Sequence, residues 1–277
     1  MEKIVLLTGA SSGIGFDSAK RLAQAGYKVY GAARRVEKME PLKAYGIIPV
    51  YMDVTDEESM QKVVSQIIQT EGRIDILVNN AGFGFFGALE NVTMEDARRQ
   101  MEVNVFGLAR LTQLILPHMR AQGSGRIINV ASIAGKMVLY FGGWYHVSKF
   151  ALEAYSDALR MEMKPFGIDV VIIEPGAIKT DWGTIAADHL RDSSIGTPYE
   201  KEALREAETF RFAYTIKLLS KPSIIGKTIL RAARSRCPKA RYRIGFGSHS
   251  IIFLHRILPA KWWDALMRLG GKLKIAK

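Results

Sequence analysis

Short, unbroken apolar runs rich in β-branched residues recur along the first two thirds of the chain, each ending in glycine, asparagine, serine or proline. Such runs predict strands buried on both faces, the pattern of a parallel sheet. They fall at residues 3–7, 27–33, 47–52, 74–78, 126–131 and 169–174, with 241–245 as a candidate seventh. Helical stretches separate them, from the first glycine turn to Gly26, from Thr55 or Asp56 to about Glu71, and from about Met94 to Gln122. Strand and helix in alternation predict one α/β domain over residues 1–277, a doubly wound parallel sheet that binds ligands at the strands' C-terminal ends.

Two details break the pattern. Asn104 lies inside the long helix with Gly107 three residues on, and both weaken a helix, which predicts a local deformation with a purpose. Pro175-Gly176 closes the sixth strand with a turn able to pass close under a bound ring.

Candidate chemistry collects where strands end. The first empties into Thr8-Gly9-Ala10-Ser11-Ser12-Gly13-Ile14-Gly15 just before a helix. Glycines there let the backbone approach a pyrophosphate, and the helix N-terminus supplies amide donors. The second strand ends at Ala33-Arg34-Arg35, where an NAD site usually carries an acid for the ribose 2′-hydroxyl. Two guanidinium groups suit a 2′-phosphate instead, so NADP(H) is favoured over NAD(H). Asp53-Val54 ends the third strand, where the carboxylate either accepts from an adenine amino group or caps the next turn. Asn79-Asn80-Ala81-Gly82 ends the fourth and Ser132 the fifth. Tyr145 and Lys149 stand one helical turn apart, and an ammonium there is expected to lower the phenol's pKa from about 10.

These motifs, in this order and spacing over residues 3 to about 180, resemble the short-chain dehydrogenase/reductase superfamily. The resemblance implies a Rossmann-type domain with a seven-stranded parallel sheet, an NAD(P) cofactor, and hydride transfer at an alcohol or carbonyl carbon. It places a catalytic tetrad on Asn104, Ser132, Tyr145 and Lys149, with Asn104 holding a water that links Lys149 to solvent. Cofactor contacts are implied for Gly9, Ser11, Ser12, Gly13, Ile14, Gly15, Arg34, Arg35, Asp53, Val54, Asn80, Ala81, Gly82, Tyr145, Lys149, Pro175, Gly176, Ile178 and Thr180. Residues 181–222 fall where the family has a variable substrate lid, read here as a solvated helical flap. Aromatics on the loop Phe83-Gly84-Phe85-Phe86-Gly87 and on the stretch Tyr140-Phe141 to Trp144 predict a bulky apolar substrate, touching Phe83, Phe85 and Phe141 beside Ser132 and Tyr145. These loops resemble the hydroxysteroid and retinol dehydrogenase branch.

Composition changes this picture in one respect. The chain carries Lys+Arg 39 against Asp+Glu 27, yet residues 217–277 alone hold 15 basic residues and one acid, a net +14 that leaves residues 1–216 at −2. Within this segment, from about Pro259, Trp262, Leu266, Leu269 and Leu273 form a stripe flanked by Lys261, Arg268, Lys272 and Lys274. The extension 248–277 therefore either contacts an anionic membrane peripherally or docks on its own domain or a dimer partner. The single Cys237, the absence of a spanning segment and an N-terminal apolar run too short for a leader predict a cytoplasmic protein. No metal is expected, since His118, His189, His249 and His255 lack ligand spacing; no nucleic-acid partner is expected, and a homodimer or homotetramer is.

Three functions stay open: an NADP(H)-dependent oxidoreductase for a lipophilic alcohol or ketone, a ketoacyl-thioester reductase docking an acidic carrier protein on the basic segment, and an idle nucleotide-binding scaffold. A binding module has no need of Tyr145 and Lys149 together, which argues against the third.

Overall fold

The apolar runs become seven parallel strands: β1 Ile4–Thr8, β2 Lys28–Ala33, β3 Ile48–Tyr51, β4 Ile76–Asn79, β5 Gly125–Val130, β6 Ile168–Pro175 and β7 Arg241–Ile244. They belong to a computed structural model that describes residues 2–215 and 219–270. The sheet order is β3-β2-β1-β4-β5-β6-β7, so the chain reverses its direction of travel across the sheet between β1 and β4. That switch point is where an open α/β sheet leaves a crevice for a ligand.

Ten α-helices accompany the strands among the described residues: α1 Gly13–Gln24, α2 Glu57–Glu71, α3 Met94–Met101, α4 Gly107–Ala121, α5 Gly143–Met163, α6 Trp182–Asp192, α7 Glu200–Thr215, α8 Pro222–Arg234, α9 Ser250–Ile257 and α10 Ala260–Gly270. Strand side chains alternate between faces. Leu6 packs with Met60, Val63 and Ile67 of α2, Leu111 and Ile115 of α4, and Leu159 of α5. Its neighbours Val5 and Leu7 pack with Ala19 and Leu22 of α1 and with Ile225 and Ile229 of α8. Both faces are covered, which is why the strands read as continuous apolar runs.

Several polar side chains buried within this core are linked to one another. Asn79 and Asn129 hold the same register on β4 and β5. Asn79 Nδ2 donates to Asn129 Oδ1 at 2.9 Å and to Thr112 Oγ1 at 3.1 Å, and Asn129 Nδ2 donates to Ser156 Oγ of α5 at 2.8 Å. The sheet is thereby pinned to both helices that carry the candidate site. At the other edge, Glu174 of β6 is fully buried and meets Arg243 at 2.9 Å, Arg241 at 3.1 Å and Lys136 at 3.8 Å.

One sequence expectation changes here. The segment 181–222 is no solvated flap: α6 and α7 bury Ala186, Ala187, Leu190, Ala203 and Ala207 against one another and against the core, because small side chains let the helices close together. Residues 251–254 lie in α9. Of the C-terminal stripe, Lys272, Leu273 and Lys274 lie outside the described residues, as does Lys217 at the head of the basic segment. Among the described residues no helix is long and apolar enough to cross a membrane, and no cluster of three His, Cys, Asp or Glu is arranged to hold a metal.

Asn129→Ala is expected to lower stability by about 2–3 kcal/mol, since it removes hydrogen bonds to two buried partners and opens a small void. Urea unfolding monitored by circular dichroism checks this; an unchanged midpoint would show that the pairing does not hold α5 to the sheet.

Candidate active site

The turn after β1 is shaped by what it cannot accommodate. A Cβ on Gly15 would lie 2.1 Å from the carbonyl oxygen of Gly9, and Gly13 sits at φ +54°, a left-handed conformation that disfavours other residues. The N-terminus of α1 is uncapped by any side chain, Ser12 included, and has no acid in its first turn, whereas Asp56 caps α2 and Thr93 caps α3. A backbone cradle with free amides and a positive dipole end fits a pyrophosphate. Ser11, Ser12 and Ile14 lie on this turn, and Thr180 is drawn against it, its Cγ2 3.4 Å from where a Gly13 Cβ would be.

Neighbouring strand ends complete the crevice. Asn80 Nδ2 donates to Thr8 O at 3.0 Å, while the backbone amides of Asn80 and Ala81 donate to Thr8 Oγ1 at 3.1 and 3.0 Å. Thr8 is thus the residue that sets the Asn80-Ala81-Gly82 turn. Asp53 caps Thr55, accepting from its amide and hydroxyl, and its other oxygen is 3.8 Å from exposed Arg34. Arg35 is exposed beside it, and Val54 is buried. Across the sheet, Pro175 ends β6, the Gly176 amide donates to Ile244 O at 2.8 Å, and Ile178 is buried beneath the turn.

The deformation expected at Asn104 is a π-helical turn over Glu102–Phe106 between α3 and α4. Gly107 follows it because a Cβ there would lie 2.1 Å from Val54 O. The turn aims Asn104 inward: Oδ1 accepts from the Phe83 amide at 3.0 Å, and Nδ2 donates to Phe83 O at 2.8 Å and to Ser148 Oγ at 3.0 Å. The buried Gln100, one helical turn before Asn104, accepts from the Phe85 amide and steadies the same loop.

Ser132, Tyr145 and Lys149 do converge. Ser132 Oγ caps the short turn after β5, accepting from the Ala134 amide at 3.1 Å, and its side chain lies beside the Tyr145 phenol, where it favours the phenolate. Lys149 Nζ donates to Val130 O at 3.1 Å and stands 5.9 Å from the Tyr145 ring centroid. The expected sign of the tyrosine's shift is corrected. Burial pushes Tyr145 up to about 12, with Ser132 opposing it, and burial pushes Lys149 down to about 8, with Glu153 opposing it. Both groups are buried, and burial disfavours the charged form of each.

The seal is aromatic. Trp182 lies 5.0 Å and Phe86 5.8 Å from the Tyr145 ring, centroid to centroid. Phe210 packs on Phe86 at 5.1 Å and Tyr214 on Phe210 at 6.0 Å. Of the three aromatics expected beside the substrate, Phe141 joins this cluster, and Phe83 is held through its backbone by Asn104. Phe85 turns away and meets His189 edge-on at 4.7 Å. Phe86 and Trp182, rather than Phe85, are the rings that lie against Tyr145.

His146 follows Tyr145 on α5 and faces away from it. It is buried, and its two nitrogens join both sides of the loop between Ser132 and Tyr145: Nδ1 donates to Ala134 O at 2.9 Å and Nε2 accepts from the Leu139 amide at 3.0 Å. A carbonyl on one side and an N–H on the other fix a neutral imidazole. Burial lowers its pKa, partly opposed by the backbone of Ala134 and Met137.

This sheet order, anion cradle and buried acid–base group define a Rossmann-fold oxidoreductase built for a nicotinamide cofactor. Comparison supplies the family: the short chain dehydrogenase family model matches residues 3–189, and the chain belongs to that family. It is 37% identical to a probable short-chain type dehydrogenase/reductase, VdlC, of Helicobacter pylori, over 96% of this chain and 97% of that protein. It is 36% identical to the 3-ketodihydrosphingosine reductase of Bacteroides thetaiotaomicron, over 88% of each. Among solved structures, a short-chain dehydrogenase from Streptomyces avermitilis superposes with a TM-score of 0.80 at 31% identity, covering 99% of this chain and 97% of that one.

Because His146 is held neutral when folded, its folded pKa lies below the value of about 6.5 it takes when unfolded. Its contribution is whole above that value and is lost as pH falls through the window beneath it. The melting temperature should therefore fall from pH 7 to pH 5 more steeply in the unaltered protein than in His146→Gln. Parallel melting curves for the two would show that the imidazole does not titrate with unfolding.

Proposed function

We propose that the protein is an oxidoreductase that exchanges hydride between NADP(H) and the carbonyl or alcohol carbon of a lipophilic, steroid-, retinoid- or lipid-like substrate. The observation that carries this reading is the aromatic roof of Phe86, Trp182, Phe210 and Tyr214 over a buried, protonated Tyr145. A polar substrate gains nothing from such a surface, while a ring system or acyl chain entering it is desolvated against carbon. The B. thetaiotaomicron relative, a reductase of 3-ketodihydrosphingosine by name, accords with a lipid ketone.

Hydride exchange is the chemistry that the nicotinamide group supplies when bound. The cradle of Gly9, Ser11, Ser12, Gly13, Ile14 and Gly15 would hold its pyrophosphate. Asn80, Ala81, Gly82, Pro175, Gly176, Ile178 and Thr180 would line its remainder, with Asp53 and Val54 at the adenine end. Arg34 and Arg35 are assigned to the 2′-phosphate. The protein's own residues manage one proton. Ser132 donates a hydrogen bond to the carbonyl oxygen as negative charge grows there. Tyr145, neutral at physiological pH, gives that oxygen its proton in reduction and takes it back in oxidation. Lys149 stands within one turn to stabilise the phenolate left behind, and Asn104 positions the group that returns the proton.

Phe83 and Phe141 are assigned to the substrate's flanks together with Phe86 and Trp182. The reading includes a homodimer or homotetramer, since Val147, Phe150 and Met161 stand exposed along one face of α5, and a cytoplasmic enzyme working beside a membrane.

A screen of purified protein with NADPH against steroid, retinoid, aliphatic and acyl-thioester carbonyls tests the substrate class; turnover confined to acyl thioesters or to small polar ketones refutes it. With any competent substrate, Tyr145→Phe should bind NADPH as before and lose nearly all turnover, which stopped-flow fluorescence and steady-state rates read separately. Replacing Arg34 and Arg35 with alanine should weaken NADPH binding by roughly tenfold or more while sparing NADH, each tenfold being about 1.4 kcal/mol. Equal affinity of the unaltered protein for both cofactors contradicts the assignment.

A further inference from the structure

We propose that α9 and α10 form a docking surface for an anionic lipid bilayer. The inference deepens the reading above by naming the surface beside which a lipophilic substrate is met, and it rests on that reading only for its purpose.

The two helices present two unlike faces. Inward, Trp263 is 5% exposed, donates from Nε1 to Val138 O at 3.0 Å, and packs with Ile133, Met137 and the His255 ring, 4.7 Å away edge-on. Outward, Phe253 is 65% exposed, Ile257 57%, Trp262 69% and Leu269 55%. Docking on its own domain and a membrane-facing stripe, set against each other as alternatives in the sequence, can therefore coexist on different sides of α10. An element of eleven residues following one of eight is too short to span a bilayer but suited to lying in its interface.

Charge decides what covers the outer face. Residues 248–277 hold six basic side chains and one acid, Asp264. Two copies of this surface brought face to face would set like charge against like, whereas a layer of lipid phosphates complements it. Not all the basicity of the C-terminal segment is free for this purpose, since Arg241 and Arg243 are bound to Glu174. Arg256, Lys261 and Arg268 are exposed and have no carboxylate at ion-pair distance among the described residues. Beside α9 a cleft of about 510 Å³ opens, lined by Lys136, Arg241, Arg243, Ile252, His255 and Arg256; three of its cations are held by carboxylates, and Arg256 is left to meet a headgroup phosphate next to the apolar ridge.

Cosedimentation of the full chain with vesicles tests the proposal, comparing phosphatidylcholine alone with phosphatidylcholine mixed with phosphatidylglycerol. Partition onto the anionic vesicles should be at least roughly tenfold stronger and should fall as salt is raised. It should persist in excess inorganic phosphate at matched ionic strength, which distinguishes a bilayer from a free-anion site. Trp262→Glu combined with Leu266→Glu should abolish partition while leaving melting temperature and NADPH affinity unchanged. Absence of partition, equal partition onto both vesicles without salt dependence, or competition by phosphate at matched ionic strength overturns the proposal. So does a double variant that still binds vesicles but loses an oligomeric state seen by light scattering, because the face would then belong to a second copy. None of these readouts requires turnover, so a failed substrate screen and a failed docking surface are separate results.

Discussion

A phenol and an ammonium buried one helical turn apart are a constraint that the rest of the molecule answers. Each is disfavoured in its charged form, Tyr145 pushed up to about 12 and Lys149 down to about 8. Each has one polar neighbour at hand: the Val130 carbonyl for the lysine, the Ser132 side chain for the phenol. Everything nearby is arranged to keep these partners in place without admitting water. The π-helical turn brings Asn104 under Ser148, Asn104 in turn clamps Phe83, and Gln100 clamps Phe85. The same low-dielectric surroundings that raise the cost of charge also strengthen each hydrogen bond within them.

What the sequence disclosed follows from what kind of information each feature needs. Strands buried on both faces are legible because burial forbids polar residues, and six apolar runs became β1 to β6 within two residues of their expected ends. The glycine turn and the Asn104–Gly107 anomaly were legible because backbone geometry excludes most other residues there. The sign of the Tyr145 shift was not, because it depends on Trp182 and Phe86 arriving from elements far apart in the chain. His146 escaped for a related reason: its partners, Ala134 and Leu139, are fixed only by the path of a loop in which Phe141 takes φ +58°. Charged residues on α7 masked the buried alanines that make the lid part of the core.

Charge is divided as clearly as polarity. The near-neutral first part of the chain contributes Glu153, Asp157 and Glu174, and the basic C-terminal segment contributes Arg241 and Arg243, so β7 joins the sheet through ion pairs as well as its ladder. A buried carboxylate such as Glu174 is costly unless several donors surround it. Its partners are therefore committed, and a net charge summed over the segment overstates what a partner surface can meet.

Trp262 and Trp263 show how one short helix can serve two environments. Adjacent residues on a helix are rotated by about 100° from each other, so neighbouring indoles face different sides. Trp263 reaches the backbone of Val138, six residues after Ser132, and its cluster includes Ile133 and Met137 from the same loop. His146 grips that loop from the opposite side at Ala134 and Leu139. The segment that carries the serine to the tyrosine is thus held between the catalytic helix and the C-terminal pair. The indole of Trp263, with Ile251, Ile252, Leu258 and Met267 around it, packs α9 and α10 against the loop that follows Ser132.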